Sequence, residues 1–266
     1  AYLTLLEEKK VELDPLLAEP VPVDHAQKVF NNLKSLKSGK MVKTFSYMSD
    51  SPDRAVKAAV KRTLTKRAGP TGLALIGAGS FAQSVHLPNL MKMRSKYNLR
   101  HLISRSPSAA RTVSNRYNFA FCGTDYDAVL SDNTVDLVMI TTRHDLHGSQ
   151  VISALEAGKH VFVEKPLCLT RAELDQIYDF YDRDGASPLL LTGFNRRFAP
   201  AISELRKVTE KRSSPMMINY RMNAGFLPPD HWVHGPQGGG RNIGEACHIY
   251  DLFLCVTGSS IESVSA

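Results

Sequence analysis

Three stretches of this chain have residue types and spacings that could do chemistry. In "HVFVEKP" (His160 to Pro166) a lysine, Lys165, stands between Glu164 and Pro166 at the end of an apolar run. If that run is a strand of a doubly wound sheet, its C-terminal end is where such sheets open to a ligand. The plainer alternative is a solvated lysine. In "GGGRNIGEACHIYD" (Gly238 to Asp251) His248 can both donate and accept as a neutral imidazole, so it is a candidate acid/base or substrate-orienting group. The alternative is a helix histidine with satisfied partners. Asp251 follows, placed to orient the imidazole or to cap a neighbour. In "GLALIGAGSFAQSVHLPNL" (Gly72 to Leu90) the pattern is G-x-G-x-x-A, with Gly77, Gly79 and Ala82. Two glycines after an apolar strand let backbone come close to a pyrophosphate, and a helix that follows aims free N–H groups at the negative charge. Such a turn means little unless a βαβ unit surrounds it.

That context follows along the chain. "NLRHLIS", "FAFC", "VDLVMITT" and "HVFVEKP" read as strands, and "SAARTVSNRYN", "DYDAVLSD" and "DLHGSQVISALEAG" as the helices between them. Apolar strands alternating with amphipathic helices predict a parallel sheet covered on both faces. "TRAELDQIYDFYDRDG" predicts a helix with a capping box of Thr170 and Glu173. "PLLLTGFNRRF" reads as a strand running into a polar tip. A helix from Pro200 to Lys211, a strand "MMINYRM", a loop from Asn223 to Arg241 and the helix "NIGEACHIYDLFLCVTG" are expected next, and "IESVSA" looks like a strand beginning. The fold class expected is α/β: a Rossmann-type doubly wound parallel sheet, then the start of an α+β substrate domain that is truncated. Further upstream, "DHAQKVFNNLKSLKSGKMVKTFSY" reads as a helix, a glycine stop and a strand.

Bulk properties narrow the function classes. The chain has 266 residues, 43% hydrophobic and 22% charged, in the normal range for a soluble globular protein. No apolar run is long enough to cross a bilayer, and "AYLTLLEEKKVELD" carries charge too early for a signal peptide. Cys122, Cys168, Cys247 and Cys255 form no CxxC pair. The expectation is free thiols in a cytoplasmic protein. The formal net charge is +7. "RAVKAAVKRTLTKR" (Arg54 to Arg67) holds six basic residues and no acidic one. It has no aromatic residue for base stacking, so a solvated helix face is favoured and no nucleic-acid partner is expected.

Five motifs in order make residues 72–266 similar to the glucose–fructose oxidoreductase/inositol dehydrogenase (Gfo/Idh/MocA) family. They are the glycine turn, "TTRHDLH" (Thr141 to His147), "EKPLCLT" (Glu164 to Thr170), "GFNRRF" (Gly193 to Phe198) and "GGGRNIGEACHIYD". Residues 1–47 resemble the C-terminal end of a zinc-type medium-chain alcohol dehydrogenase. Taken together, the resemblances imply a remnant of such a domain at 1–47 and a linker with a basic helix at 48–70. A dinucleotide-binding domain at 71–190 and a partial substrate and oligomerisation domain at 191–266 would follow, in a fragment of a fused bi-domain oxidoreductase.

The family resemblance implies an NAD(P)-dependent dehydrogenase that interconverts a hydroxyl and a ketone on a sugar, inositol or nucleotide-sugar. It implies a cofactor site at Gly77, Gly79, Ser80, Phe81, Ala82, Thr141, Thr142, His144, Glu164, Lys165 and Pro166. Lys165 would reach the nicotinamide ribose and the substrate hydroxyl. The end of the second strand, where Asp or Glu usually meets the adenosine ribose, reads Ser104-Arg105-Ser106. A guanidinium pairs well with a 2′-phosphate, so NADP is slightly favoured over NAD. Members usually carry Asp four residues before the His, where this chain has Gly244. Glu245 stands one residue on, a helical turn of ~100°, and is a weaker catalytic candidate beside Lys165 and His248. Substrate candidates are Asn195, Arg196, Arg197, Trp232 and His248. No metal is expected: His144 and His147 have no third ligand near in sequence, and His147 is expected at a helix surface or in packing. The rival functions are a non-catalytic dinucleotide sensor or scaffold, and an appendage of a zinc-type alcohol dehydrogenase. A small polyol or sugar partner and a possible homo-oligomer of the full-length protein complete the expectations.

Overall fold

The computed structural model describes residues 69–183, 185 and 187–265, with 19–22, 25, 28, 29, 45 and 46 nearer the N-terminus. The chain divides into two compact units, Ala1–Thr63 and Leu64–Ala266. In the first, Val21–Pro22 pairs in parallel with Phe45–Ser46. The expected helix and glycine stop after Asp24, and the basic segment Arg54 to Arg67, fall outside the described residues or nearly so.

The second unit is built on six strands: β1 (Thr71–Ile76), β2 (Tyr97–Ile103), β3 (Phe121–Gly123), β4 (Leu137–Ile140), β5 (His160–Val163) and β6 (Leu190–Thr192). All pair in parallel, in the order β3-β2-β1-β4-β5-β6. This is the doubly wound Rossmann order, which reverses between β1 and β4. The helices are α1 (Leu87–Lys92), α2 (Pro107–Tyr117), α3 (Asp127–Ser131), α4 (His144–Glu156) and α5 (Arg171–Asp182).

Strand period assigns the two faces. Leu73 and Leu75 of β1 pack with Leu87 and Leu90 of α1 and with Val113 and Tyr117 of α2. Ala74 and Ile76 point the other way, into a core with Val129 of α3, Val151 and Leu155 of α4, and Ile177 and Phe180 of α5. Both faces are therefore covered, as near-continuous apolar strands demand. Helix ends are set by local chemistry. Thr170 and Glu173 form the capping box at the start of α5, and Asn118 ends α2 in the left-handed region at φ 62°.

Beyond β6 come a 3₁₀ turn (Asn195–Phe198), α6 (Pro200–Thr209), a 3₁₀ turn (Trp232–His234), a π-helical turn (Asn242–Ala246) and α7 (Cys247–Thr257). Two expected strands do not form. "MMINYRM" and the start of "IESVSA" pair with no other strand among the described residues, and Met217 is 97% exposed. Their composition suits a strand, but a strand exists only where a neighbour satisfies its N–H and C=O groups. Residues 193–265 accordingly contain no strand among the described residues.

Gly72 shows how tightly β1 is inserted. Its N–H donates to Asp136 Oδ2 at 2.8 Å, and a Cβ there would lie 1.8 Å from the carbonyl oxygen of Thr134. Backbone cannot yield to that contact. Gly72→Ala should cost about 3 kcal/mol or more, read as a lower urea midpoint at unchanged slope. An unaltered midpoint would show that the start of β1 can shift.

Candidate active site

At the end of β1 the chain turns sharply. Gly77 has φ +96°, and a Cβ on it would sit 2.7 Å from the Thr141 carbonyl oxygen at the end of β4. Only glycine fits on both counts. Thr141 closes the same gap, its hydroxyl donating to Gly77 O at 2.7 Å and Ile76 O at 3.1 Å. Gly79 is different: a Cβ there meets no protein atom within 4 Å. Nothing in the chain itself demands glycine at 79, and the open space beside it is the cradle a pyrophosphate would fill. Ser80 and Phe81 begin the helical run that passes through a π-helical turn (Ala82–His86) into α1. Ala82 is buried against the sheet. Gln83 Nε2 donates to Ala78 O at 2.8 Å and braces the turn. The residues present fit a dinucleotide.

Between the ends of β1, β4 and β5 lies a cleft of about 240 Å³. Phe81 borders it from the glycine turn, and Thr141, Thr142, His144 and His147 from the end of β4 and the first turn of α4. Glu164 and Lys165 border it from the end of β5, and Trp232 from the long loop. Six of the expected cofactor residues, Phe81, Thr141, Thr142, His144, Glu164 and Lys165, thus meet in one place. Lys165 Nζ donates to Gly244 O at 2.8 Å, so the lysine is tied to the π turn that precedes α7. Glu164 accepts from His86 Nε2 at 2.8 Å.

The loop docks through its ring and its backbone. Trp232 stands edge-on to His144, with ring centres 4.9 Å apart, and the Arg143 guanidinium lies 4.0 Å over its indole. His144 Nδ1 donates to Gly238 O at 2.9 Å. Burial lowers the pKa of His144, with that bond opposing, so the ring is held towards its neutral form. His147 is fully buried, not on the helix surface. Its Nδ1 lies 2.7 Å from Pro166 O and its Nε2 3.2 Å from Thr142 O. Burial lowers its pKa as well. A neutral ring has one N–H, and the shorter contact takes it. His147 thereby ties α4 to the residues after β5. Among the described residues no group of three or more His, Cys, Asp or Glu side chains is placed to hold a metal ion.

The remaining candidates divide. His248, in the first turn of α7, is 6% exposed, and its Nδ1 is buried with no hydrogen-bond partner. Burial, then Arg196 and Lys165, push its pKa down to about 4, so the ring is neutral at pH 7. Glu245 faces elsewhere. It pairs with Arg241 at 2.6 Å and lines a separate cavity of about 410 Å³ beside Met222 and Gly225. Arg241 stands four residues before Glu245, so one helical turn brings the two side chains together. Gly244 stands at the usual Asp position, where a Cβ would make a tight contact, 3.2 Å, with His144 Cε1. Asp251 is buried and takes both Nε and Nη2 of Arg197, so it holds the Asn195–Phe198 turn on α7 and does not orient His248. Arg196 reaches the hydroxyl of Tyr220 at 3.3 Å and Met222 Sδ at 3.0 Å. Asn195 opens the turn through its backbone N–H to Gly193 O at 2.8 Å. At the end of β2, Ser106 caps α2 and Arg105 is exposed. Sequence reasoning passed over His86, Arg143 and Gly238. The run of three glycines was a signal for the last: a Cβ on Gly238 would lie 2.3 Å from Val233 backbone.

Residues 71–189 match the oxidoreductase family described as having an NAD-binding Rossmann fold, Gfo/Idh/MocA. Those residues, from β1 through α5, carry the likeness to that family. It is 27% identical to the myo-inositol 2-dehydrogenase of Thermotoga maritima over 202 residues, covering 75% of this chain and 57% of that protein. It is 29% identical to the NAD(+) scyllo-inositol 2-dehydrogenase of Bacillus subtilis over 184 residues, or 64% of this chain and 52% of the other. A solved levoglucosan dehydrogenase, in complex with NADH and L-sorbose, superposes with a TM-score of 0.60 at 25% identity, over 71% of this chain and 54% of that one. The chain spans about half the length of the curated relatives it matches.

The two glycines of the turn should separate on mutation. Gly77→Ala should destabilise the fold by about 1–3 kcal/mol, since φ and the Thr141 carbonyl both oppose a side chain. Gly79→Ala should leave the urea midpoint within about 0.5 kcal/mol while weakening NAD(P) binding at least tenfold by calorimetry. Equal effects of the two on stability would refute this division.

Proposed function

We propose that this chain carries the cofactor half and part of the substrate side of an NAD(P)-dependent oxidoreductase. The reaction would interconvert a secondary hydroxyl and a ketone on a sugar or inositol. The observation that carries this reading is the cleft itself. It opens at the strand-order reversal, beside the open space at Gly79, and is bordered by Lys165 from the end of the next strand. The activities named for the relatives, two inositol dehydrogenases and a levoglucosan dehydrogenase, support the substrate class.

The turn Gly77–Gly79 and the helical run behind it bind the pyrophosphate, with residues 71–190 as the dinucleotide domain. Ser104 and Arg105, after β2, face the adenosine half, where a guanidinium suits a 2′-phosphate and favours NADP. A bound nicotinamide supplies the hydride acceptor when the hydroxyl carbon is oxidised. That oxidation also releases one proton from the hydroxyl. Lys165 has two N–H groups besides the one given to Gly244 O, and they suit it to hold the substrate oxygen. His248, with Nδ1 unpartnered, is the candidate to accept that proton, and its lowered pKa means that it hands the proton on and does not hold it. Trp232, which borders the cleft, offers an aromatic face to the apolar face of a sugar, and Asn195 and Arg196 are the further substrate candidates.

Lys165→Met keeps most of the stem and removes the charge and donors. Turnover of a panel of sugars and inositols, followed as nicotinamide absorbance, should fall ~10²–10⁴-fold, while dinucleotide affinity by calorimetry changes much less. Parent-like turnover in this variant would remove Lys165 from the mechanism. The cofactor preference has its own test. Arg105→Asp should move relative affinity from NADP to NAD by tenfold or more, the ~1.5–3 kcal/mol of a charge-assisted bond. An unmoved ratio would reject the NADP assignment.

A further inference from the structure

The wall of the cleft on the β5 side carries a charge that the reaction scheme above does not use. Among the described residues bordering the cleft, Glu164 is the one acidic side chain. Its carboxylate is held in place from two sides. His86 Nε2 donates to Oε1 at 2.8 Å, and both side chains are nearly buried, 14% and 15% exposed. The His86 ring is itself clamped edge-on by Phe81 at 5.3 Å and Phe162 at 5.4 Å. On the other side Gly193 gives the carboxylate its room: a Cβ there would lie 3.1 Å from Cδ and from both oxygens. His86 ends the π-helical turn Ala82–His86. That wide turn sets the direction of His86, and an unbroken α-helix would present the residue differently.

We infer that Glu164, positioned by His86, makes the cleft selective for the oxidised form of the cofactor. The inference rests on the dinucleotide reading above. In a doubly wound sheet the adenosine half lies over β1 and β2, and the other half over β4 and β5. Glu164 therefore borders the part of the cleft that takes the nicotinamide. The oxidised ring carries a positive charge and the reduced ring carries none, while ribose and phosphates are the same in both. A fixed carboxylate on a side chain that is itself largely buried stabilises the first and not the second. Lys165 next to it works in the opposite direction, so loss of the Glu164 charge leaves the ring facing a cation alone. The consequence is directional: the wall favours loading of the form that oxidises a hydroxyl, and it promotes release of the reduced form. His86 acts through Glu164 and is a positioning residue.

The test is the ratio of dissociation constants for oxidised and reduced cofactor, measured by calorimetry on the chain with NAD and with NADP. Glu164→Gln preserves shape and can still accept from His86. It should weaken oxidised relative to reduced binding by ~10-fold, and Glu164→Asp, which keeps the charge, should recover most of the parent ratio. His86→Leu, which leaves the charge but frees the carboxylate, should move the ratio part of the way. Equal weakening of both forms, or no change in the ratio, would overturn the selectivity while leaving dinucleotide binding intact. A parent chain that binds neither form would overturn this inference and the proposed function together.

Discussion

Two strand ends come too close for a side chain to stand between them. The carbonyl of Thr141 would lie 2.7 Å from any Cβ on Gly77, and the Thr141 hydroxyl closes the gap by bonding the backbone at Ile76 and Gly77. This approach fixes where β1 ends relative to β4, and so where the order of strands reverses. A crevice must open at such a reversal, because the helices on either side leave in opposite directions. Every other feature of the candidate site is measured from that point.

From it, a small set of polar ties brings distant segments onto the crevice. His147 bonds backbone after β5 from α4. His144 holds Gly238, and Lys165 holds Gly244. Two of these three segments come from residues 193–265, which have no strand among the described residues to anchor them. Arg197 and Asp251 add a bidentate pair that fixes the Asn195–Phe198 turn on α7. Most of the ties end on backbone carbonyls, which exist whatever the side chain. They set position without setting sequence, and that gives the site its geometry while leaving its chemistry to a few residues.

The charges around the crevice are of two kinds. Three histidines, His144, His147 and His248, are buried, and burial holds each towards its neutral form. Glu164 and Lys165 are the charged pair at the end of β5. Where relatives carry an acid before the histidine of α7, this chain has Gly244, packed on the His144 ring. A Cβ there would lie 3.2 Å from His144 Cε1, so a side chain at 244 would need the imidazole to give by a few tenths of an ångström.

The sequence by itself determined the elements of the sheet and the location of the turn. Both are written in short-range signals: apolar runs of period two, amphipathic helices, Thr170 with Glu173, and Gly77 and Gly79 behind an apolar strand. It also marked Lys165, since a strand end is a local property. Only the tertiary structure decided which way the later residues face. Two π-helical turns, Ala82–His86 and Asn242–Ala246, break the 3.6-residue count, and His86 meets Glu164 across 78 residues of sequence, a contact that no helical projection contains. "MMINYRM" has the composition of a strand, but strand formation depends on a neighbour's hydrogen bonds, which composition does not contain. The fate of Asp251 was equally beyond reading along the chain, because its partner, Arg197, lies 54 residues away. Local spacing fixes what a segment can be, and long-range contact decides what it meets.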